Sequence, residues 1–265
     1  MKELKGKTAL VTGASSGIGL ALAGSLAKRG VNLIITARSE NKLQEAAAEL
    51  QKMGVKVQVF TSDLSRKGAA EALFEQVQKA GLQVDLLINN AGFGKWGEFL
   101  RVDREQYDEM LQLNINALTE LCHLFIPGML ERGEGGIINV GSTASFVPVP
   151  YAAVYSASKA YVIMFTEALQ GEYGSRGISC MTLCPGGTES SFAAVAGSSL
   201  NLNSKSVKDT PEFVAETGLE AFLKGELYVI TGSRNQRMAL LPRLLSRKRV
   251  LKMVGDSWRK TIGVS

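Results

Sequence analysis

Histidine is almost absent from the chain: the only one, His123, lies in an apolar stretch with helical spacing. A hydrolase triad needs a histidine between its nucleophile and its acid, and metal centres combine several histidine, cysteine or carboxylate ligands. His123 has no such companions nearby in the sequence. Neither a triad nor a metal site is therefore predicted.

Cysteine is scarce as well, with only Cys122, Cys180 and Cys184. The last two lie four residues apart on a predicted strand, which separates their Cα atoms by ~13 Å. A disulfide needs Cα atoms closer than ~7 Å. We therefore predict free, buried thiols rather than a disulfide-bonded protein.

No apolar run approaches the ~20 residues of a membrane-spanning helix, and the first residues lead into a strand rather than a signal peptide. No RNA-binding signature is present either. A chain of 265 residues can bury a large core in one domain. These absences predict a single-domain cytoplasmic protein without a nucleic-acid partner.

Short apolar stretches alternate with helical patterns along the chain. The predicted strands are 7–12, 31–36, 55–60, 84–89, 137–141, 178–184 and 226–231. The predicted helices are 17–29, 40–53, 66–80, 103–131, 155–174 and 211–224. This alternation is typical of a three-layer, doubly wound (Rossmann-like) α/β fold, with about seven parallel strands and ligands at their carboxyl ends.

A glycine-rich turn joins the first predicted strand to the first helix. The apolar run 8–11 passes directly into this turn, and helical spacing begins at Ile18. Without bulky side chains, the backbone amides and the helix N-terminus are open to a pyrophosphate. The turn therefore predicts nucleotide binding through Gly13, Ser15, Ser16, Gly17, Ile18 and Gly19.

Tyr155 and Lys159 stand four residues apart in a predicted helix and therefore share one face. A phenol has a pKa near 10 in water, so a tyrosine that exchanges protons at neutral pH needs its phenolate stabilised. A neighbouring ammonium provides that stabilisation. The spacing predicts a proton-transfer pair.

The Gly-x-x-x-Gly-x-Gly turn and the Tyr-x-x-x-Lys pair together resemble the short-chain dehydrogenase/reductase family. Further matches run in family order from residue 6 to about 232: Asn90, Ala91 and Gly92 after the fourth strand, Asn114 in a helix, Ser142 after the fifth strand, and Pro185 and Gly186 after the sixth. The resemblance implies hydride transfer between a nicotinamide and a ketone or secondary alcohol. The alternative is a non-catalytic NADP(H)-binding regulatory or interaction protein.

The resemblance also implies roles for single residues. Tyr155 would exchange the proton with the substrate oxygen, and Lys159 would lower the pKa of Tyr155 and hold the nicotinamide ribose. Ser142 would orient the substrate, and Asn114 would hold a water. Further cofactor contacts would come from Asn90, Ala91, Gly92, Pro185, Gly186, from Thr188 or Ser190, and from Asp63, unless Asp63 caps the helix at Arg66.

Cofactor choice is predicted by the end of the second strand. An acidic residue there binds the ribose 2′-hydroxyl of NAD, whereas an arginine favours the 2′-phosphate of NADP. Ala37 and Arg38 occupy this position, with Ser39 and Ser15 nearby. We therefore expect NADP(H) to be favoured over NAD(H), and the alternative is that Arg38 is a solvated surface residue.

Substrate preference is indicated by the segments expected to form the pocket, which are 93–99, 143–150 and 187–209. They carry many aromatic and apolar residues and few charges. This composition favours a lipid-like, steroid, acyl or aromatic carbonyl compound over a sugar acid. Within the third segment, 193–206 is rich in small and polar residues and predicts a mobile lid in about 187–210.

Positive charge is concentrated at the C-terminal end, where 234–260 contains nine Lys or Arg and one acid, Asp256. Apolar residues recur there at helical spacing, with Pro242 as the expected helix start. We predict a basic amphipathic extension, 236–265, after the catalytic domain, 1–235. It can dock on a membrane surface, an acidic carrier or a subunit, or pack on its own domain. The family resemblance implies a homodimer or homotetramer.

Overall fold

Strands alternate with helices to form one parallel sheet. The computed structural model describes residues 1, 3–189, 192 and 209–262. In these ranges seven strands pair in the order β3-β2-β1-β4-β5-β6-β7. The strands are β1 (Thr8–Thr12), β2 (Asn32–Ala37), β3 (Val57–Thr61), β4 (Leu86–Asn89), β5 (Gly135–Val140), β6 (Ile178–Cys184) and β7 (Tyr228–Ile230). The predicted doubly wound α/β fold of about seven strands is confirmed.

Helices cover both faces of the sheet. They are α1 (Gly17–Lys28), α2 (Glu40–Gln51), α3 (Ala69–Lys79), α4 (Arg104–Leu111), α5 (Leu118–Arg132), α6 (Ala153–Tyr173), α7 (Pro211–Leu223), α8 (Ser233–Leu244) and α9 (Arg247–Ile262). Alternate strand residues face opposite layers. Ala9 and Val11 pack with α1, α2 and α7, whereas Leu10 packs with α3, α5 and α6. The strands are therefore buried on both faces.

The helix predicted over 103–131 contains one wider turn. A π-helical turn, Gln112–Ala117, separates α4 from α5. This wider turn holds Asn114, whose amide group hydrogen-bonds the backbone of Phe93 and the hydroxyl of Ser158. A π turn adds one residue to the helical repeat, and such turns are frequent at functional sites. The helix predicted over 103–131 is confirmed as one unbroken helical stretch, Arg104–Arg132, but its π turn was not predicted, because helical periodicity does not contain these tertiary contacts.

The C-terminal segment forms two helices instead of one helix that starts at Pro242. Pro242 lies in the last turn of α8, where its missing N–H removes the hydrogen bond to the carbonyl group of Met238, and the helix ends at Leu244. Ser246 then caps α9, and its hydroxyl accepts from Arg249 N at 3.4 Å. The start predicted at Pro242 was wrong. Helix α8 also spans the predicted boundary at 235/236, and the division into a domain and an extension stays a prediction.

All three cysteines are buried and free, as predicted. Among the helices of the described residues, none has the length and apolar character needed to cross a bilayer.

Candidate active site

The loops that follow the first six strands, β1 to β6, line one cavity of about 860 Å³. In a parallel sheet these loops meet at one edge, as the alternation of strands and helices predicts. The cavity lining contains every predicted site residue except Asn114, namely Gly13, Ser15, Ser16, Gly17, Ile18, Gly19, Arg38, Asp63, Asn90, Ala91, Gly92, Ser142, Tyr155, Lys159, Pro185, Gly186 and Thr188. Ser190, the alternative to Thr188, lies outside the described residues.

The glycine turn after β1 fits closely against the loop after β4. The side-chain amide of Asn90 donates to Thr12 O at 2.8 Å and to Gly13 O at 3.3 Å. Gly13 has φ +67°, and a methyl group at Gly19 would overlap the Gly13 carbonyl group and the Asn90 amide. The first turn of α1, preceded by Ser16, has no side-chain cap. Its backbone amides therefore face the cavity free for a pyrophosphate, so these residues fit a dinucleotide cofactor.

Two cations line the cavity after β2. Arg38 follows β2, and Lys42 stands four residues later on α2. Two adjacent cations suit a phosphate group, which arginine can bind through two parallel hydrogen bonds. Lys42 was not among the predicted residues. Its position in the first turn of the predicted helix 40–53, directly after Arg38 and Ser39, is the signal in the sequence that points to it.

Asp63 belongs to the cavity wall and does not cap the following helix. Its Oδ1 accepts from the Ser65 hydroxyl at 2.7 Å and from Ser65 N at 3.2 Å, and α3 begins only at Ala69. Burial raises the pKa of Asp63, but the hydrogen bonds from Ser65 and the charges of Arg38 and Arg66 outweigh it, so the pKa falls. Asp63 is therefore an anion beside the cationic pair.

Lys159 is buried one helical turn beyond Tyr155 on α6. Its Nζ donates to the carbonyl oxygen of Val140, the last residue of β5, at 2.8 Å and lies 6.0 Å from the centre of the Tyr155 ring. Burial lowers the pKa of Lys159 to about 8. The ammonium is therefore poised to titrate close to neutral pH.

Tyr155 carries its proton in this environment. Burial raises the pKa of Tyr155 to about 12, and a hydrogen bond with the Ser142 side chain opposes that rise. The pKa of Tyr155 is thus raised, and not lowered as we expected from Lys159, because the burial of the phenol has the larger effect. A protonated phenol is the form that can donate to a carbonyl oxygen.

Ser142 is held in place by its own short turn. Its hydroxyl accepts from Ala144 N at 3.1 Å, and the Ser145 hydroxyl accepts from Ser142 N at 3.2 Å. This reciprocal arrangement is a capping box around the 3-10 turn Thr143–Ser145. Ser145 was missed from the sequence, although the spacing of three residues between the two serines is the signal. The turn keeps the Ser142 hydroxyl beside Tyr155.

Asn114 lies behind the cavity wall. Its Oδ1 accepts from Phe93 N at 3.2 Å, and its Nδ2 donates to Phe93 O at 3.0 Å and to Ser158 Oγ at 3.1 Å. A methyl group at Gly92 would come within 2.9 Å of Oδ1. Asn114 therefore ties the loop after β4 to α6, and its role in holding a water stays a prediction.

Aromatic rings form the end of the cavity beyond Tyr155. The ring centres of Trp96 and Trp258 are 5.5 Å apart, and Phe192 lies 5.7 Å from Tyr155 and 6.2 Å from Trp96. Trp258 comes from α9 and was not predicted to reach the site. The four-residue spacing of Val250, Val254 and Trp258 shows the inward stripe in the sequence, but not what the stripe packs against.

Helix α9 packs on the body of the chain through this stripe. Val254 and Trp258 join a cluster that includes Val149 and Tyr155. At the rim, Arg259 Nε donates to the Tyr151 hydroxyl at 3.2 Å. The inner face of the basic C-terminal segment thus forms part of the wall of the site. The predicted lid, 193–206, lies outside the described residues.

A family model described as short chain dehydrogenase matches residues 7–200. The chain belongs to the short-chain dehydrogenase/reductase family. Members of this family are oxidoreductases with a nicotinamide cofactor, in agreement with the glycine turn and the buried Tyr155 and Lys159. The recognition made from the motifs is confirmed.

Individual relatives share the fold and part of the sequence. The very-long-chain 3-oxoacyl-CoA reductase of Macaca fascicularis is 31% identical over 222 residues, which cover 81% of this chain and 68% of that protein. A short-chain dehydrogenase from Sphingobium yanoikuyae in complex with NADPH has a TM-score of 0.81, with 31% identity and coverage of 88% and 91% of the two chains.

Two further relatives differ in the bound cofactor and in chain length. A short chain dehydrogenase/reductase from Burkholderia phymatum in complex with NAD has a TM-score of 0.83 and 25% identity, with coverage of 92% and 95%. The probable oxidoreductase EphD of Mycobacterium tuberculosis is 35% identical over 188 residues, 71% of this chain but 32% of EphD. The chain thus spans about a third of that relative, and solved relatives carry either cofactor.

The low pKa of Lys159 predicts a pH-dependent cost of folding. Below about pH 8 the lysine is charged in both states, so the cost of burying the ammonium is present in full; it falls between about pH 8 and 10.5, where only the unfolded chain keeps the proton. Lys159→Met should therefore raise the free energy of unfolding of the cofactor-free protein at pH 7 by about 2 kcal/mol, after allowance for the lost hydrogen bond.

Urea unfolding of both proteins from pH 7 to 10 measures this difference. The stability gained by Lys159→Met should shrink as the pH rises. Lys56→Met, at an exposed position, is the matched control and should show no such trend. A gain that stays constant across the range would contradict the assigned pKa.

Proposed function

We propose that the chain is an NADPH-preferring carbonyl reductase that converts a ketone of an apolar substrate into a secondary alcohol, or catalyses the reverse oxidation. One observation carries this proposal: a single cavity connects the cationic pair at Arg38, the buried Tyr155 and the aromatic end around Trp258. Cofactor, proton donor and substrate can thus meet in one enclosed space.

The residues divide the reaction between them. When bound, the cofactor supplies the hydride that adds to the carbonyl carbon. Tyr155 donates its proton to the carbonyl oxygen, and Ser142 orients that oxygen by a hydrogen bond and stabilises the charge that develops on it. Lys159 stabilises the phenolate that Tyr155 becomes and then returns a proton from solvent. The aromatic wall excludes water.

The positive charge of the cavity lining after β2 bears on the cofactor preference. Arg38 and Lys42 line the cavity just after β2, and the adenosine ribose of a dinucleotide bound to this fold is expected at the end of that strand. The solved relatives do not decide between the cofactors, since one is in complex with NADPH and another with NAD. The cationic pair favours NADP(H), because a 2′-phosphate adds up to two negative charges to be neutralised.

The aromatic end of the cavity bears on the class of substrate. Trp96, Phe192 and Trp258 present rings to the cavity beside Tyr155, which favours a lipid-like, acyl, steroid or aromatic compound. The indole nitrogen of Trp96 is buried and has no hydrogen-bond partner among the described residues. It can donate to a second oxygen of such a substrate, and the name of the 3-oxoacyl-CoA reductase relative agrees with this chemistry.

The proposal includes the oligomeric state of the protein and its cellular compartment. A homodimer or homotetramer would use the outer faces of α5 and α6, where Met164 is 70% exposed. We also propose that the protein works in the cytoplasm.

Tyr155→Phe tests the proton transfer. This variant should reduce NADPH oxidation with any accepted ketone by about a thousandfold or more, because the proton donor is lost. NADPH binding, followed by fluorescence titration, should remain. Tyr161→Phe is the matched control on the same helix; its hydroxyl hydrogen-bonds Thr119 away from the cavity, and activity should be kept. Full activity of Tyr155→Phe would refute the mechanism, and binding of NADPH without turnover by the wild type would favour the non-catalytic alternative.

Arg38→Ala tests the cofactor preference. The KM for NADPH should rise by roughly 10- to 100-fold, because a charge-assisted hydrogen bond to the phosphate is lost, while the KM for NADH should barely change. Lys42→Ala should act in the same direction. Arg104→Ala removes an exposed arginine from α4 and serves as the control. A ratio of the two KM values unaffected by Arg38→Ala would contradict the assignment.

Trp258→Ala tests the substrate end. The kcat/KM should fall by about tenfold for bulky apolar ketones, which lose contact with the indole, and less for small ketones. Leu251→Ala on the same helix, at a 47% exposed position, controls for loosening of α9. Equal losses for large and small ketones would contradict a substrate contact at Trp258.

A further inference from the structure

Helices α8 and α9 follow each other directly in the chain, and we call their exposed side chains together the C-terminal surface. Large apolar side chains are unusually exposed on it. The described residues contain eleven exposed large apolar side chains, and five of them lie here: Met238, Leu240, Leu244, Leu251 and Met253. They occur singly between basic side chains, and the exposed basic members of the surface are Arg234, Arg237, Arg247, Lys248, Arg249 and Lys252.

Positive charge on this surface is almost uncompensated. Asp256 is the only acid between residues 234 and 260, against nine Lys or Arg. Its carboxylate pairs with Arg259 at 3.6 Å. Among the ion pairs of the described residues, no other basic side chain of the surface takes part. The surface therefore presents a concentrated positive field to an anionic partner.

The C-terminal surface lies directly outside the substrate end of the cavity. The inward stripe of α9 ends at Trp258, which lines the cavity. At about 100° per residue, Lys248 and Lys252 point roughly 160° away from Val250 on the same helix. Helix α9 is therefore the wall between the aromatic end of the cavity and the basic, partly apolar surface.

We propose that the C-terminal surface binds the headgroups of an anionic lipid membrane. Interfacial helices combine basic side chains for anionic lipids with apolar side chains that enter the headgroup region, and this surface has both. The exposed Leu and Met side chains are spread singly among the basic ones, which suits insertion between lipid headgroups more than an anchor cluster in a pocket of an acidic protein. Docked in this way, α9 would bring the aromatic end of the cavity close to the bilayer, where apolar carbonyl compounds accumulate. Only this delivery step rests on the proposed reductase function.

Vesicle flotation of the full chain tests the proposal. The protein should bind phosphatidylcholine vesicles that contain about one third phosphatidylserine, should bind pure phosphatidylcholine vesicles weakly, and should be released by high salt. Lys248→Glu with Lys252→Glu should weaken binding to the anionic vesicles by about tenfold or more. Leu240→Ser with Leu244→Ser should weaken binding at every salt concentration, because apolar insertion is not screened.

The control is Lys56→Glu with Lys67→Glu, which makes the same charge change at exposed positions elsewhere. This variant should bind anionic vesicles as the wild type does. Equal binding to anionic vesicles by the Lys248/Lys252 variant and the Lys56/Lys67 control would overturn the proposal. So would the absence of binding by the wild type. A change in sedimentation coefficient of the Lys248/Lys252 variant, without vesicle binding by the wild type, would instead identify a contact between copies of the chain. Turnover of a water-soluble ketone, measured in parallel, separates a failure of docking from a failure of the reductase function.

Discussion

The hydrogen bond from the buried ammonium of Lys159 to the end of β5 is the interaction on which the arrangement of the active site depends. Lys159 is 4% exposed and donates to the carbonyl oxygen of Val140, its one hydrogen-bond partner within the described residues. An ammonium has three protons to donate, so this site leaves it under-solvated, and burial lowers its pKa to about 8. A negative charge that forms on Tyr155 during proton transfer would offset part of this cost. The cost of burying the Lys159 ammonium thus favours the phenolate that the proposed reaction needs.

The end of β5 joins this interaction to the substrate. Val140 accepts from Lys159, and Ser142, two residues later, hydrogen-bonds Tyr155. Gly141 lies between them, and a methyl group there would come within 2.9 Å of Thr182 and 3.2 Å of the Cys184 sulfur. Because Gly141 has no side chain, the backbone can lie close to β6 while both neighbours of Gly141 face α6. The distance between β5 and α6 sets the geometry of Ser142, Tyr155 and Lys159, the three proposed catalytic groups.

Features that depend on local pattern could be predicted from the sequence. Strand alternation and the glycine turn placed Gly13, Asn90 and Ser142 at the same edge, because parallel strands impose that edge on any sequence with this pattern. Tyr155 and Lys159 share a helix face for an equally local reason. The fold and most of the cavity lining follow from these rules.

Features that depend on contacts between distant segments could not be predicted in this way. The π turn at Asn114 reflects hydrogen bonds to Phe93 and Ser158, which helical periodicity does not encode. The stripe on α9 showed that Trp258 faces inward, yet nothing local states that it meets Trp96. The pKa of Tyr155 rises because the surrounding chain buries the phenol, and burial at one residue is a property of the whole fold.

The cavity changes character along its length, and this gradient links cofactor binding to chemistry. Cations and backbone amides dominate near Arg38, where a charged group can be held in partial contact with solvent. Rings dominate around Tyr155 and Phe192, where burial keeps the phenol protonated although its hydrogen bond with Ser142 opposes the rise in pKa. Since Trp258 supplies part of that apolar wall, a displacement of α9 would admit water and lower the pKa of Tyr155. In the proposed reaction, the position of α9 would therefore affect proton transfer as well as substrate fit.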